Sequence, residues 1–171
     1  RLGTDYIGHL ITNDSVNGRK IAGAMKIVAG LSETDQFDLL VFQIGANDML
    51  NDVSAEETVE RMKGLIEAAQ PYATNIVILT CGNIGGSMIT MGREKEAEQF
   101  TNTSRLYDDL MISLVNEYDN VSFAPLFDEP ENDPYIADPK KYTSIDGLHP
   151  TSAGYAIWFQ KAKPYFDAVL E

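Results

Sequence analysis

The sequence has little of what a membrane, nucleic-acid-binding or disulfide-stabilised protein needs. It contains a single cysteine, Cys81, so no disulfide can form within the chain. No apolar run approaches the roughly 20 residues that cross a bilayer. The chain has only 13 Lys and Arg residues against 26 Asp and Glu residues, which gives a net charge of −13 at pH 7. Nucleic acids and anionic membrane surfaces would repel that charge, so we expect neither as a partner.

The sequence also lacks features that a metal-binding or a nucleotide-binding protein needs. There are only two histidines, His9 and His149, and the neighbourhood of His149 offers fewer His, Cys and carboxylate ligands than a metal site requires, so we expect no metal. No Gly-rich phosphate loop is present, which disfavours a flavodoxin-like nucleotide binder. The length of 171 residues suits one compact domain. The first residue is Arg1 rather than Met, so we expect an incomplete N-terminus, and neither localisation nor oligomeric state is predicted.

Apolar segments alternate between strand-like and helix-like patterns along the whole chain. Strand-like apolar runs are predicted at 37–45, 75–80 and 120–125, and the first is expected to be buried on both faces. Helical spacing predicts helices over 18–31, 54–70 and 94–118 and from 151 onward, with Pro164 kinking or restarting the last one. Residues 82–92 and 128–141 are predicted to be loops. This alternation predicts an α/β fold, a three-layer sandwich around a parallel sheet.

Ligands of such sheets bind beyond the carboxyl ends of the strands. The first predicted strand ends in Gly45-Ala46-Asn47-Asp48, where the Asn47 amide could project as a hydrogen-bond donor or could simply form a turn. Gly18 precedes the first predicted helix. Its backbone N–H could bind an anion or oxyanion, or the segment could be an ordinary helix start.

The third candidate site is the stretch Asp146-Gly147-Leu148-His149-Pro150. Asp146 and His149 are three residues apart across a Gly-containing turn, so the carboxylate can reach the Nδ1–H of the histidine. That contact would leave Nε2 free to take a proton from a nucleophile. An ordinary capping role for the pair is the alternative. His9, in contrast, is expected to be a packing or surface residue.

Taken in order, the three blocks resemble the SGNH hydrolase family, the GDSL-type lipases and esterases, over about residues 6–167. Gly18 matches the glycine of the second block, Asn47 matches the asparagine of G-x-N-D, and Asp146 and His149 match D-x-x-H, followed by "HPTSAGYAIW". The resemblance implies a flavodoxin-like α/β/α fold and ester hydrolysis by a serine without a cofactor. It further implies that His149 is the base, that Asp146 orients it, and that Gly18 N–H and the Asn47 amide serve as oxyanion donors.

The sequence departs from this family at the nucleophile, because it has no strand ending in Gly-Asp-Ser. We expect the nucleophile-bearing segment to lie upstream of Arg1, and Ser15 in "NDSVNG" is the weaker candidate. A small-molecule ester is the expected substrate, with short acyl esters or acetylated sugars favoured over long-chain lipids. Residues 82–92 could line the acyl pocket or could close onto the core. The alternative function is a non-catalytic pseudo-hydrolase domain that binds a glycan or an acyl group.

Overall fold

A computed structural model describes residues 6–170 of the chain. Its sheet has the strands β1 (Phe37–Gln43), β2 (Ala73–Leu79) and β3 (Val121–Ala124), in that spatial order. Both neighbouring pairs are parallel. Parallel strands require crossover connections, and helices supply both of them in this chain. The parallel pairing that was predicted for the first two strands is therefore confirmed.

The helices account for the rest of the regular structure. In chain order they are α1 (Ile21–Val28), α2 (Ala46–Met49), α3 (Ala55–Ala69), α4 (Ile84–Thr90), α5 (Glu94–Val115), α6 (Pro134–Ala137), α7 (Pro139–Tyr142) and α8 (Ser152–Leu170), with a 3-10 turn at Gln70–Tyr72. The predicted helices and strands are present, with ends that differ by a few residues. For example, α1 is shorter than the predicted 18–31 because Gly18 has a left-handed backbone (φ 72°).

Alternate side chains of β2 enter two separate apolar cores. Ile76 and Ile78 pack in the cluster that α1, α3 and α5 help to build. Val77 and Leu79 point to the opposite face and pack in the cluster that contains Phe166 of α8. Because successive strand residues face opposite sides, a strand with helices on both sides is apolar throughout. The predicted three-layer α/β/α sandwich is confirmed.

Strand β1 is less buried than its apolar sequence predicts. It pairs with β2 along one edge, and no described residue pairs with its other edge. As a result Val41 is 37% exposed, and no residue of β1 is fully buried. The expectation that this strand is buried on both faces is therefore not met among residues 6–170, where β2 is the central strand.

Two local predictions are wrong. The predicted loop 82–92 contains α4, which Asn83 caps by accepting the backbone N–H of Gly86 at 3.4 Å and which buries Ile84 and Met88. The predicted loop 128–141 contains α6 and α7. Each of these short helices has an aspartate as N-cap and a proline as its first residue, the usual arrangement of a helix start.

Helix α8 runs through Pro164 without a break, so the helix does not restart there. Proline has no N–H, so the carbonyl group one turn earlier in the helix loses its hydrogen bond. Pro164 is exposed, so water can supply that hydrogen bond instead.

Candidate active site

The carboxyl ends of β1 and β2 open into a cavity of about 230 Å³. Residues 43–47, at the end of β1, form one side of it, and residues 81–84, which follow β2, form another. The loop bearing His149 and the first turns of α8 close it. The cavity therefore occupies the position that the topology of a parallel sheet predicts for a ligand.

Asp146 and His149 form a hydrogen-bonded pair at this cavity. The Asp146 Oδ2 atom lies 2.7 Å from His149 Nδ1. Its Oδ1 atom accepts the backbone N–H groups of Leu148 and His149, each at 3.0 Å. These backbone hydrogen bonds, together with the one to the imidazole, lower the pKa of Asp146 to about 2. The aspartate is therefore ionised at neutral pH and favours the tautomer with the proton on Nδ1, which leaves Nε2 as the basic atom.

The loop that carries the pair is held in shape by its backbone. Gly147 has a φ of 73°, and a Cβ atom there would lie 3.0 Å from the carbonyl oxygen of Thr90 and from Met91 Cγ. The hydroxyl of Thr90 donates a hydrogen bond to the Gly147 carbonyl. The Ser144 N–H donates to the His149 carbonyl at 2.7 Å. A glycine is required at this turn, and α4 supports it from one side.

Asn47 lies at the same cavity, at the start of the helical turn α2. Its amide Nδ2 donates to the backbone carbonyl of Arg19 at 3.2 Å, which places it beside the Gly18–Arg19 segment. Arg19 and Ser15 line the cavity, whereas Gly18 is not among the residues that line it. The structure thus brings Asn47, Asp146 and His149 to one site. Gly18 is next to that site but not at its surface.

Asp48 was not predicted from the sequence as a residue of the site. Its side chain is fully buried; Oδ2 accepts the Ile21 backbone N–H at 2.9 Å, and Oδ1 accepts Arg61 Nη1 at 2.8 Å. Asp48 therefore caps α1 and anchors the turn that presents Asn47. The available signal was an acidic residue a few positions after an apolar strand, where a charge that becomes buried needs a partner.

Cys81 lines the cavity but does not suit nucleophilic chemistry. Burial, and secondarily the nearby Asp108, raises the pKa of its thiol to about 12. The thiolate is the reactive form of cysteine, so this side chain is unreactive at pH 7. Within residues 6–170, no group of three or more His, Cys, Asp or Glu side chains is placed to hold a metal ion. None of the helices described is both long and apolar enough to cross a bilayer.

Comparison with known proteins identifies the family of the chain. The model of the GDSL-like Lipase/Acylhydrolase family matches residues 1–157, so the chain belongs to that family. Membership places it among the hydrolases of ester substrates. Among curated proteins, none matches the chain.

Two solved structures have the same fold. A member of the lipolytic protein G-D-S-L family from Veillonella parvula is 16% identical, with a TM-score of 0.75, over 96% of this chain and 84% of its own. A Streptococcus pneumonia protein whose description names platelet activating factor is 23% identical, with a TM-score of 0.67, over 96% of this chain and 76% of its own. At these identities the likeness establishes the fold alone.

Proposed function

We propose that the protein hydrolyses carboxylic esters through a serine nucleophile, with His149 as general base. The observation that carries the proposal is the Asp146–His149 hydrogen bond of 2.7 Å at a cavity that Asn47 also lines. An ionised aspartate on Nδ1 makes Nε2 the proton acceptor. A serine hydroxyl that transfers its proton to Nε2 attacks the acyl carbon of the ester.

The remaining steps follow from that geometry. The tetrahedral intermediate carries its negative charge on the former carbonyl oxygen, and the Asn47 amide is a donor of the kind that stabilises it, with the Gly18 N–H proposed as a second donor. The imidazolium gives its proton to the leaving alkoxide, and an acyl-enzyme is left. Water, deprotonated by His149, then releases the acid and regenerates the serine. No cofactor takes part in this scheme.

The attacking serine is not among the described contacts of His149. Within residues 6–170, no serine hydroxyl forms a hydrogen bond with His149. Ser15 lines the cavity, but it is exposed and its only described hydrogen bond is from its backbone N–H to Asn13 Oδ1 at 3.0 Å. We therefore propose that the attacking serine belongs to a Gly-Asp-Ser segment of the kind the family resemblance implies, and not to Ser15.

A fluorophosphonate probe tests this assignment, because it labels only an activated serine. The full-length protein is labelled and the modified peptide is identified by mass spectrometry, with His149→Ala and Ser15→Ala as companions. We expect one labelled serine in a Gly-Asp-Ser segment, full labelling of Ser15→Ala and none of His149→Ala. A label on Ser15 would transfer the role of nucleophile to that residue.

The missing contact to His149 also supports a second candidate function. A pseudo-hydrolase domain would bind a glycan or an acyl group in the same cavity without cleaving it. In that case the probe labels no serine, and saturation-transfer NMR with simple sugars and short-chain carboxylates detects binding instead.

A further inference from the structure

The cavity that contains His149 also contains an arginine, which the proposed mechanism does not use. Arg19 lines the cavity, and it is the only Lys or Arg among the described residues that do so. Its guanidinium group forms no hydrogen bond and no ion pair with any residue between 6 and 170. A positively charged group with several N–H donors is therefore available at the cavity.

The other arginines between residues 6 and 170 all pair with carboxylates. Arg105 binds Glu129 through Nε at 2.7 Å and through Nη2 at 2.5 Å. Arg61 and Arg93 each pair with a glutamate three or four residues away. Acidic residues outnumber basic ones by 26 to 13, so carboxylate partners are plentiful in this chain. An arginine without such a partner is the exception, and this one lies at the cavity.

Arg19 is held beside the proposed oxyanion donor. Its backbone carbonyl accepts the Asn47 amide at 3.2 Å. Its side-chain stem lies along the first turn of α1, where a Cβ atom at Gly23 would lie 3.0 Å from Arg19 Cγ and 3.6 Å from Cδ. An ester whose carbonyl oxygen is bound by Asn47 therefore lies next to Arg19, and the long arginine side chain can reach a substituent of the same ester.

The carboxylate at the cavity does not neutralise Arg19. Asp133 is the only Asp or Glu among the described lining residues, and it is 3% exposed. Burial raises the pKa of Asp133, which weakens its negative charge, and its Oδ1 atom already accepts the Tyr135 backbone N–H at 2.8 Å. The net charge of −13 repels anions, but salt screens charges that are more than about 8 Å away at physiological ionic strength. At contact distance the unpaired guanidinium is the stronger influence.

The chemistry of the guanidinium group defines the ligand. Its planar arrangement of N–H donors matches the two oxygens of a carboxylate or a phosphate, as the pair of Arg105 and Glu129 illustrates. Hydrogen bonds between such charged groups are roughly twice as strong as those between neutral groups. A plain alkyl or aryl ester offers no group of this kind.

Resting on the proposed ester hydrolysis, we propose that Arg19 binds an anionic group of the substrate, and that the substrate is an ester that carries a carboxylate or a phosphate. The guanidinium group holds the anion while Asn47 and His149 act on the ester group. Arg19 therefore determines which ester is chosen, whereas His149 acts on any ester that enters.

The chain contains a matched control for Arg19. Lys20 is the next residue, the N-cap of α1, and it does not line the cavity. Arg19→Gln and Lys20→Gln change the net charge equally and at almost the same place in the chain. Only Arg19→Gln removes the charge at the cavity. Arg19→Lys is a further variant, which keeps the charge and loses the planar set of donors.

The experiment measures kcat/KM of the full-length protein for two pairs of esters. 4-Nitrophenyl hemiglutarate and 4-nitrophenyl valerate differ by a carboxylate on the acyl side. 1-Acetylglycerol 3-phosphate and 1-acetylglycerol differ by a phosphate on the alcohol side. In Arg19→Gln we expect the ratio of charged to neutral ester to fall by about 10–10²-fold in one pair, as for the loss of a hydrogen bond to a charged group. The pair that responds shows which side of the ester carries the anion.

The control variants make the result specific. Lys20→Gln should keep the wild-type ratio, and the ratio in Arg19→Lys should lie between those of the wild type and Arg19→Gln. A ratio that Arg19→Gln leaves unchanged in both pairs would overturn the proposal, including the case in which both members of a pair lose rate equally. An equal fall in Lys20→Gln would also overturn it, because the effect would then come from net charge and not from a contact.

A binding measurement separates this anion site from the proposed reaction. Saturation-transfer NMR of glutarate and of glycerol 3-phosphate is carried out with the wild type, Arg19→Gln and Lys20→Gln. If no ester is hydrolysed but Arg19→Gln alone abolishes binding of an anion, the anion site stands and the esterase proposal fails. If the wild type binds neither anion, the anion site fails regardless of hydrolysis.

Discussion

The carboxylate of Asp48 accepts the backbone N–H of Ile21 at 2.9 Å, and this contact joins the end of β1 to the start of α1. The two segments that it connects carry Asn47 and Gly18, the residues proposed to stabilise the oxyanion. Asp48 itself is fully buried and is also paired with Arg61 at 2.8 Å. The relative position of the two proposed donors thus depends on one buried carboxylate.

Replacing Asp48 by alanine should destabilise the fold strongly. The change leaves the Ile21 N–H uncapped, which typically costs about 0.5–2 kcal/mol, and removes a hydrogen bond between charged groups, which is typically worth about 1.5–3 kcal/mol. Urea unfolding measures the loss. Glu57→Ala is the matched control, since Glu57 also pairs with Arg61, at 2.6 Å, but its side chain is 58% exposed. We expect Glu57→Ala to lower the free energy of unfolding by about 1 kcal/mol or less. Equal losses in the two variants would contradict the role given to Asp48.

Asn47→Ala should lower kcat while leaving the protein folded. Loss of one oxyanion donor typically reduces kcat by about 10²–10³-fold. Steady-state hydrolysis of p-nitrophenyl acetate measures the change. Asn102→Ala serves as control, because Asn102 is exposed on α5 and contacts only Arg105 among the described side chains. A change in KM alone would indicate that Asn47 binds the substrate without stabilising the transition state.

Much of this architecture can be predicted from the sequence, because β2 is an uninterrupted apolar run and α3 and α5 have helical periodicity. The site residues Asn47, Asp146 and His149 can be found because they follow strand ends or precede a helix in short, ordered motifs. The role of Asp48 cannot be found in this way. It depends on the distant backbone N–H of Ile21 that its carboxylate accepts, and that contact is fixed only by tertiary packing. Helix α4 was missed because its Gly-Gly pair and short length are typical of a loop.

Asp108 should make the stability of the fold depend on pH. It is 7% exposed, and burial, reinforced by Asp109, raises its pKa to about 7. The folded protein then holds a proton that the unfolded chain releases near pH 4, so the free energy of unfolding should fall as the pH rises from about 4 to about 7. The loss is at most about 4 kcal/mol for a shift of this size.

Urea unfolding of the wild type and Asp108→Asn at pH 5 and pH 8 tests this expectation. Asp108→Asn should lose less stability between the two pH values than the wild type loses. Asp119→Asn changes an exposed aspartate and should behave like the wild type. If Asp108→Asn and the wild type lose the same amount, Asp108 is already ionised in the folded protein at pH 5.

Asp146→Asn should keep the fold and lose most of the activity. The amide cannot stabilise the imidazolium and favours the wrong tautomer of His149; the corresponding loss in a serine protease is about 10⁴-fold in kcat, which serves here as an upper guide. Circular dichroism checks the fold. Carbon-detected NMR should place the titration of the Asp146 carboxyl near its lowered pKa of about 2. The stabilisation that the ionised carboxylate provides is then lost only as the pH falls from about 4 through 2. A midpoint near 4 would show that the pair does not persist in solution.

The most direct test of the account is ester hydrolysis by the His149→Ala variant of the full-length protein, measured beside His9→Ala. His9 is exposed and contacts the Tyr6 ring edge-on, and it does not line the cavity, so it is the matched histidine control. We predict that His149→Ala lowers kcat at least as much as Asp146→Asn, while His9→Ala retains the wild-type rate. Turnover by His149→Ala at the wild-type rate would contradict the mechanism.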